Sequence, residues 1–197
     1  MQDSLLLLAH GAGQPCDSPW MEKLTLALKE QGVQTRRFNF HYMAEAQKVG
    51  KPRPPSRLPK LLEEYRRVLS FARDGRRIFI GGKSLGGRVA SHLAVSEDVS
   101  GLLVFGYPFH PPAKPDKFRT AHMPDIRCPT LICQGERDPF GKREEVAGYG
   151  LPPELRIEWI ADGDHQFKPR KRSGLTLEQN IDTAAKAAAA FMASLEP

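Results

Sequence analysis

Cysteine is scarce in this sequence: three residues in 197, Cys16, Cys128 and Cys133. An odd number cannot all pair within one chain, and no Cys-x-x-Cys or Cys/His metal spacing occurs. A disulfide framework and a zinc module are therefore excluded, and a reduced, cytoplasmic setting is expected. Long hydrophobic runs are missing too. The apolar run in MQDSLLLLAHG is short and has no basic residue before it. It suits neither a secretory leader nor the ~18 apolar residues of a membrane span, so no membrane association is expected. Charge of one sign is only mildly in excess, +6 from 29 basic and 23 acidic residues. The basic residues are scattered except at Lys168-Pro169-Arg170-Lys171-Arg172, which reads as a solvated loop. No nucleic-acid partner is expected, and the sequence carries no signal of oligomeric state.

What is present is an ordinary globular composition, 40% hydrophobic and 26% charged. Residues 1–197 read as one domain, long enough to bury a core without staples. Short apolar runs alternate with amphipathic stretches. Ser4–Ala9 is apolar throughout, as in a strand buried on both faces. Ser18-Pro19 opens a helix with Ser as N-cap, Met21, Leu24, Ala27 and Leu28 share its face, and Gly32 closes it. Residues 33 to 38 form a second strand, and 39 to 57 are read as irregular. Leu58, Leu61, Leu62, Tyr65, Leu69 and Ala72 mark a helix stopped by Asp74-Gly75. Strands are expected at 77 to 80, Gly101–Phe105, 130 to 133 and Leu155–Ile160, and helices at 84 to 95, weakly at 142 to 148, and from Thr176, where Gln179 completes a capping box. Leu177, Ile181, Ala184, Ala188, Phe191 and Leu195 form the last helix's buried stripe. The alternation predicts an α/β fold: a three-layer α/β/α sandwich on a mostly parallel six-stranded sheet. The longest structureless stretch, 106 to 128, is long enough to suggest a functional loop.

The stretch IFIGGKSLGGRVA decides the chemistry. Gly82-Lys83-Ser84 has the tail of a phosphate-binding loop, but that motif requires glycine at position 77, which is Arg77. Gly82-Lys83-Ser84-Leu85-Gly86 instead satisfies Gly-x-Ser-x-Gly between a strand and a helix, the elbow that presents a nucleophilic serine. Such a serine is expected at positive φ, and the flanking glycines are demanded by close strand–helix approach. The partners follow in chain order. Asp138 lies in QGERDPFG after the fifth strand, with Glu136 as the alternative acid, and His165 lies in IADGDHQF before the last helix. All three project from the edge of the sheet where open α/β folds bind ligands. An oxyanion hole is assigned to the N–H groups of Leu85, after the nucleophile, and Ala12, in the HGAG turn. Phe40, Tyr42, Tyr107, Phe109 and Phe140 are candidates for an apolar substrate lining, and Lys83, His110 and Lys114 for contacts to a carboxylate-bearing substrate.

These residues resemble the alpha/beta-hydrolase superfamily over essentially the whole chain. LLLLAHGAG, FNFHYM, GGKSLGGR, FGYPFHPPAKP and GERDPFG look like a small family of predicted hydrolases related to the dienelactone hydrolases, which includes testis-expressed and chromatin-complex-subunit proteins. The resemblance implies strand order 2-1-3-4-5-6, with HGAG and Ser84 meeting at the switch point. It also implies a minimal version of the fold: the two additional N-terminal strands of the larger fold are absent and there is no cap domain, so residues 39 to 57 and 106 to 125 are expected to cover the site. Dienelactone hydrolases proper use cysteine where this chain has Ser84, and Lys83 is an unusual elbow neighbour. The expected function is cleavage of an ester, thioester or similar acyl bond in a small molecule, with no metal or organic cofactor. The competing expectation is a protein-interaction module on the same scaffold.

Overall fold

The computed structural model describes residues 3–195. The elements are β1 (Ser4–Ala9), α1 (Pro19–Glu30), β2 (Thr35–Phe38), α2 (His41–Val49), α3 (Leu58–Ala72), β3 (Arg77–Lys83), α4 (Leu85–Leu93), β4 (Gly101–Phe105), β5 (Thr130–Gly135), α5 (Arg143–Val146), β6 (Leu155–Ile160) and α6 (Leu177–Ala193). The six strands form one sheet in the order β2-β1-β3-β4-β5-β6, parallel at every pairing.

The period of two along each strand sends side chains to two cores. Leu5, Leu7, Ile78, Ile80, Leu102, Val104 and Ile132 face α3 and α4. Leu6, Leu8, Phe79, Leu103, Phe105, Leu131 and Cys133 face α1 and α6. This is why Leu5–Ala9 is apolar at every position: both faces are covered, and each of its leucines is at most 3% exposed. Burial of each such leucine contributes about 1.5–3 kcal/mol.

The chain runs from β1 outward to β2, then crosses back to place β3 on the other side of β1. Ala9 stands opposite Gly82 in that register. The loops that leave β1 and β3 therefore diverge at one point on the carboxyl edge, which opens a crevice there.

Several boundaries differ from expectation for identifiable reasons. β2 starts at Thr35 rather than 33 because Val33 belongs to the end of α1. Its N–H donates to Leu28 O and that of Gly32 to Lys29 O, with Gly32 at φ 79, a Schellman closure. Residues 41–49, read as irregular, form α2. Its N-terminal amide on His41 is capped by Glu64 Oε2 from α3 at 2.9 Å, a partner that no local pattern reveals. β3 and β5 extend through glycines to Lys83 and Gly135 because neighbouring strands pair with them. Ser18 occupies the N-cap of α1 without a side-chain capping bond, whereas the Thr176–Gln179 box at α6 forms in both directions. Among the described residues no helix is long and apolar enough to cross a membrane.

Candidate active site

β3 ends in a turn so sharp that Ser84 sits at φ 49, ψ −110, a conformation rarely held by a residue with a side chain. The surroundings impose it. A Cβ on Gly82 would stand 2.5 Å from Ala9 O, and one on Gly86 would stand 2.5 Å from Ala9 O and 2.7 Å from His10 O. The start of α4 is thus pressed against the end of β1, with no room for a methyl group at either position. Arg88 N–H donates to Ser84 O, so the serine begins the helix while its hydroxyl stays on the rim. The Leu85 N–H follows at the first helical position, where amides have no intrahelical acceptor and the dipole favours negative charge.

His165 Nε2 lies 2.9 Å from Ser84 Oγ, and His165 Nδ1 lies 2.7 Å from Asp138 Oδ2. Ionised Asp138 is an acceptor only, so Nδ1 carries the proton and Nε2 is left to accept from the serine hydroxyl. Burial, and after it the Lys83 charge, push the imidazole below its ordinary pKa, against the hydrogen bond to Asp138 and the charges of Asp138 and Asp164. The neutral base is therefore the favoured form at neutral pH. Glu136, the alternative acid, is occupied elsewhere: it accepts from Arg143 at 2.8 Å and from the Asp162 amide at 2.9 Å. Asp162 pairs with Arg137 and Arg170, and Asp164 Oδ1 accepts from the amides of Gln166 and Lys168, which folds the turn that carries His165.

The HGAG turn is braced from within. His10 is fully buried, and its Nε2 accepts from the Phe40 N–H at 3.1 Å, so Nδ1 donates to Gly11 O at 2.5 Å. Burial lowers the pKa of this ring and keeps it neutral. Tyr42 Oη donates to Ala12 O at 2.9 Å. Below the crevice, the buried Tyr65 hydroxyl bridges β1 and β3, lying within hydrogen-bonding distance of Leu7 O and Gly81 O and accepting from the Gly81 N–H.

Several residues expected to line the substrate do other work. Phe40 and Tyr42 are buried and pin the HGAG turn instead of facing a ligand. Tyr107 is fully buried, with its hydroxyl donating to Arg119 O at 2.7 Å. His110 is 2% exposed and sits between Pro111 O and Glu145. The rings turn inward, where burying them gains most, and these four residues do not border the crevice. Of the predicted lining, Phe140 and Lys83 do border the crevice. The Phe140 ring lies 4.4 Å from that of His165.

The crevice encloses about 380 Å³ and is walled by Gly11 to Gln14, Ser18, Trp20, Met21, Lys83, Ser84, Phe140, His165 and Gln166. Neither 39–57 nor 106–125 contributes to this wall, contrary to expectation; the start of α1 does. Two larger hollows, about 980 Å³ beside α1 and β2 and about 770 Å³ at the opposite end of β5 and β6, hold no nucleophile–base pair. Among the described residues no group of three or more His, Cys, Asp or Glu is placed to hold a metal.

Two residues carry roles that sequence reasoning missed. Trp20 Nε1 donates to Gln166 O at 2.9 Å and ties α1 to the histidine turn. Gln134, fully buried near the end of β5, donates to Asp138 Oδ2 at 3.1 Å and accepts from the Tyr107 N–H at 2.7 Å. A glutamine in an otherwise apolar strand, TLICQG, was the available signal.

A family model described as "Alpha/beta hydrolase domain" matches residues 2–193. No curated protein matches the chain. Among solved structures, an alpha-beta serine hydrolase homologue from Coxiella burnetii is 18% identical with TM-score 0.74, covering 94% of this chain and 85% of that one. Dienelactone hydrolase from Anabaena variabilis is 19% identical with TM-score 0.70, covering 97% and 86%. An α/β serine hydrolase without lid from Xanthomonas campestris is 16% identical with TM-score 0.64, covering 93% and 82%.

Proposed function

The chain belongs to the alpha/beta hydrolase domain family, and on that premise we propose that it is a serine hydrolase that cleaves an ester, thioester or similar acyl bond through an acyl-enzyme on Ser84. The observation that carries the reading is the continuous relay from Ser84 Oγ through His165 to buried Asp138, at 2.9 and 2.7 Å. In this mechanism His165 Nε2 takes the hydroxyl proton as Oγ attacks the acyl carbon. The carbonyl oxygen becomes an oxyanion, held by the N–H groups of Leu85 and Ala12. Asp138 stabilises the imidazolium. His165 then returns the proton to the departing alcohol, thiol or amine, leaving the acyl group on Ser84. Water, deprotonated by His165, attacks the acyl-enzyme and frees the acid and Ser84.

A crevice of about 380 Å³ bordered by Trp20, Met21 and Phe140 suits a small acyl group. A cytoplasmic small-molecule substrate fits the low cysteine content. The interaction-module reading gains nothing from the segments flanking the site: Phe40, Tyr42, Tyr107 and Phe109 are buried, and Val49 and Phe118 are the only large hydrophobics well exposed there among the described residues.

The test is covalent labelling by a fluorescent fluorophosphonate, with the adduct located by peptide mass spectrometry. Adduct on Ser84, with labelling abolished in Ser84→Ala and slowed on the order of 10⁴-fold or more in His165→Ala, is expected. Adduct elsewhere, or an unaffected rate in His165→Ala, would refute the mechanism.

A further inference from the structure

Lys83 stands immediately before the nucleophile, at the last position of β3, and its side chain points toward the face covered by α1 and α6. It is 4% exposed, and its Nζ donates to His165 O at 2.6 Å. The ammonium lies 5.3 Å from the Trp20 ring and 6.0 Å from that of Phe167. Among the described residues its one hydrogen bond is to this carbonyl, and the Asp138 and Asp164 carboxylates act on it only from longer range. Gly106 is what brings it beside the base. A Cβ there would stand 2.8 Å from Lys83 Nζ and 3.4 Å from His165 Cε1, so ammonium and imidazole face each other across the space that glycine leaves open.

A buried ammonium without a partner carboxylate is expensive, and an unbranched apolar side chain would fill the same volume without that cost. Its location against the proposed base, rather than any contribution to the fold, accounts for it. We infer that Lys83 is a positioning residue for His165: its hydrogen bond fixes the backbone of the histidine turn, and its charge, set against that of Asp138, keeps the imidazole neutral until the serine proton arrives. The inference takes its purpose from the serine-hydrolase reading, but its geometry stands apart from it.

The groups that face the imidazole are Asp138 from the β5–α5 loop, Asp164 from its own turn, Lys83 from β3 and the Ser84 hydroxyl. The two carboxylates favour the imidazolium and Lys83 opposes it, beyond what burial already does. Burial also pushes Lys83 itself down to about 8. The unfolded lysine holds its proton more tightly, so the penalty is full below about pH 8 and fades as pH rises toward the ordinary lysine value of 10.5. A neutral replacement should leave the fold no less stable at neutral pH.

The experiment uses Lys83→Met, which removes both charge and donor, and Lys83→Gln, which removes the charge and keeps a donor for His165 O. The His165 ring is titrated by NMR, assigned by its absence in His165→Gln, and fluorophosphonate labelling of Ser84 is followed against pH. Both Lys83 variants should move the imidazole midpoint to higher pH. On the acid limb, labelling should fall roughly tenfold against its neutral-pH plateau, the size of effect that a charge ~4–6 Å away exerts. Urea midpoints should hold or rise. A wild-type midpoint in Lys83→Met overturns the inference. A wild-type midpoint in Lys83→Gln alone overturns the part played by charge. Failure of both variants to fold overturns it too, because the ammonium would then be a structural tether. If the imidazole moves as expected but wild-type protein never labels, the hydrolase reading fails and the tuning of His165 stands.

Discussion

Replacing Gln134 by leucine tests whether the orientation of Asp138 is built by a partner behind the relay. The two side chains are close in volume, so the change removes hydrogen bonds more than it removes packing. Gln134 Oε1 accepts from the Tyr107 N–H at 2.7 Å, and Nε2 lies within 3.2 Å of Asp138 Oδ2, Tyr107 O and Gly141 O. All of this is buried. In the variant the Tyr107 amide has no acceptor, which costs about 1–3 kcal/mol, and the Asp138 carboxylate loses a donor worth about 1.5–3 kcal/mol. The extra apolar contact of leucine returns about 1 kcal/mol. A net loss of about 1.5–5 kcal/mol, with a urea slope of about 2 kcal/mol/M, lowers the midpoint by roughly 0.8–2.5 M. Trp20 and Trp159 fluorescence follows unfolding. Fluorophosphonate labelling of Ser84 should slow as well, though less than in Asp138→Ala, because Asp138 Oδ1 still accepts from the Phe140 N–H at 2.9 Å. A midpoint within about 0.3 M of wild type, or an unchanged labelling rate, would refute the assigned role.

Gly86→Ala should cost about 2–3 kcal/mol despite alanine's better helix propensity, because its Cβ meets only backbone, 2.5 Å from Ala9 O and 2.7 Å from His10 O. The displaced HGAG turn should slow labelling on the order of 10²-fold; an increase in thermal stability with full labelling would contradict the close approach. His92 and His122 stack at 3.6 Å, with His122 Nε2 2.8 Å from Ser91 Oγ, and each has its pKa lowered to about 4 by burial first, then by nearby charge: Arg88 beside His92, and His92 and Arg88 beside His122. The unfolded histidines bind protons more readily, so stability should fall as pH drops from 6.5 toward 4. The part due to this half-buried pair is on the order of 1–2 kcal/mol after solvent screening, and urea midpoints for wild type and His92→Gln should converge as pH falls; parallel pH dependences would remove the pair from the explanation.

The order of elements and the elbow were legible in the sequence because their causes are local. A strand covered on both faces carries an unbroken apolar run, as in LLLLA of β1, and an amphipathic helix repeats at three and four residues, as in α3. Gly-x-Ser-x-Gly records a steric requirement, and the Cβ positions at Gly82 and Gly86 show the backbone that an alanine there would displace. Position after a strand singled out Asp138 and His165 from several acids and six histidines as candidates, and the fold brings both side chains into one hydrogen-bonded row with Ser84. α2 was not legible, since its first amide is capped by Glu64 from another helix.

Tertiary structure alone decided which way the loop aromatics face. Phe40, Tyr42 and Tyr107 have the same composition signature whether they line a crevice or brace one, and the larger apolar burial behind the loops settled them inward. It also decided that the start of α1 walls the crevice, that Gln134 holds Asp138, and that an elbow lysine ends beside the histidine turn. Each of these depends on two segments distant in the chain meeting at the carboxyl edge of the sheet. Residue spacing encodes the conformation of a segment, but which segments meet there is set by the crossing from β2 back over β1 to β3.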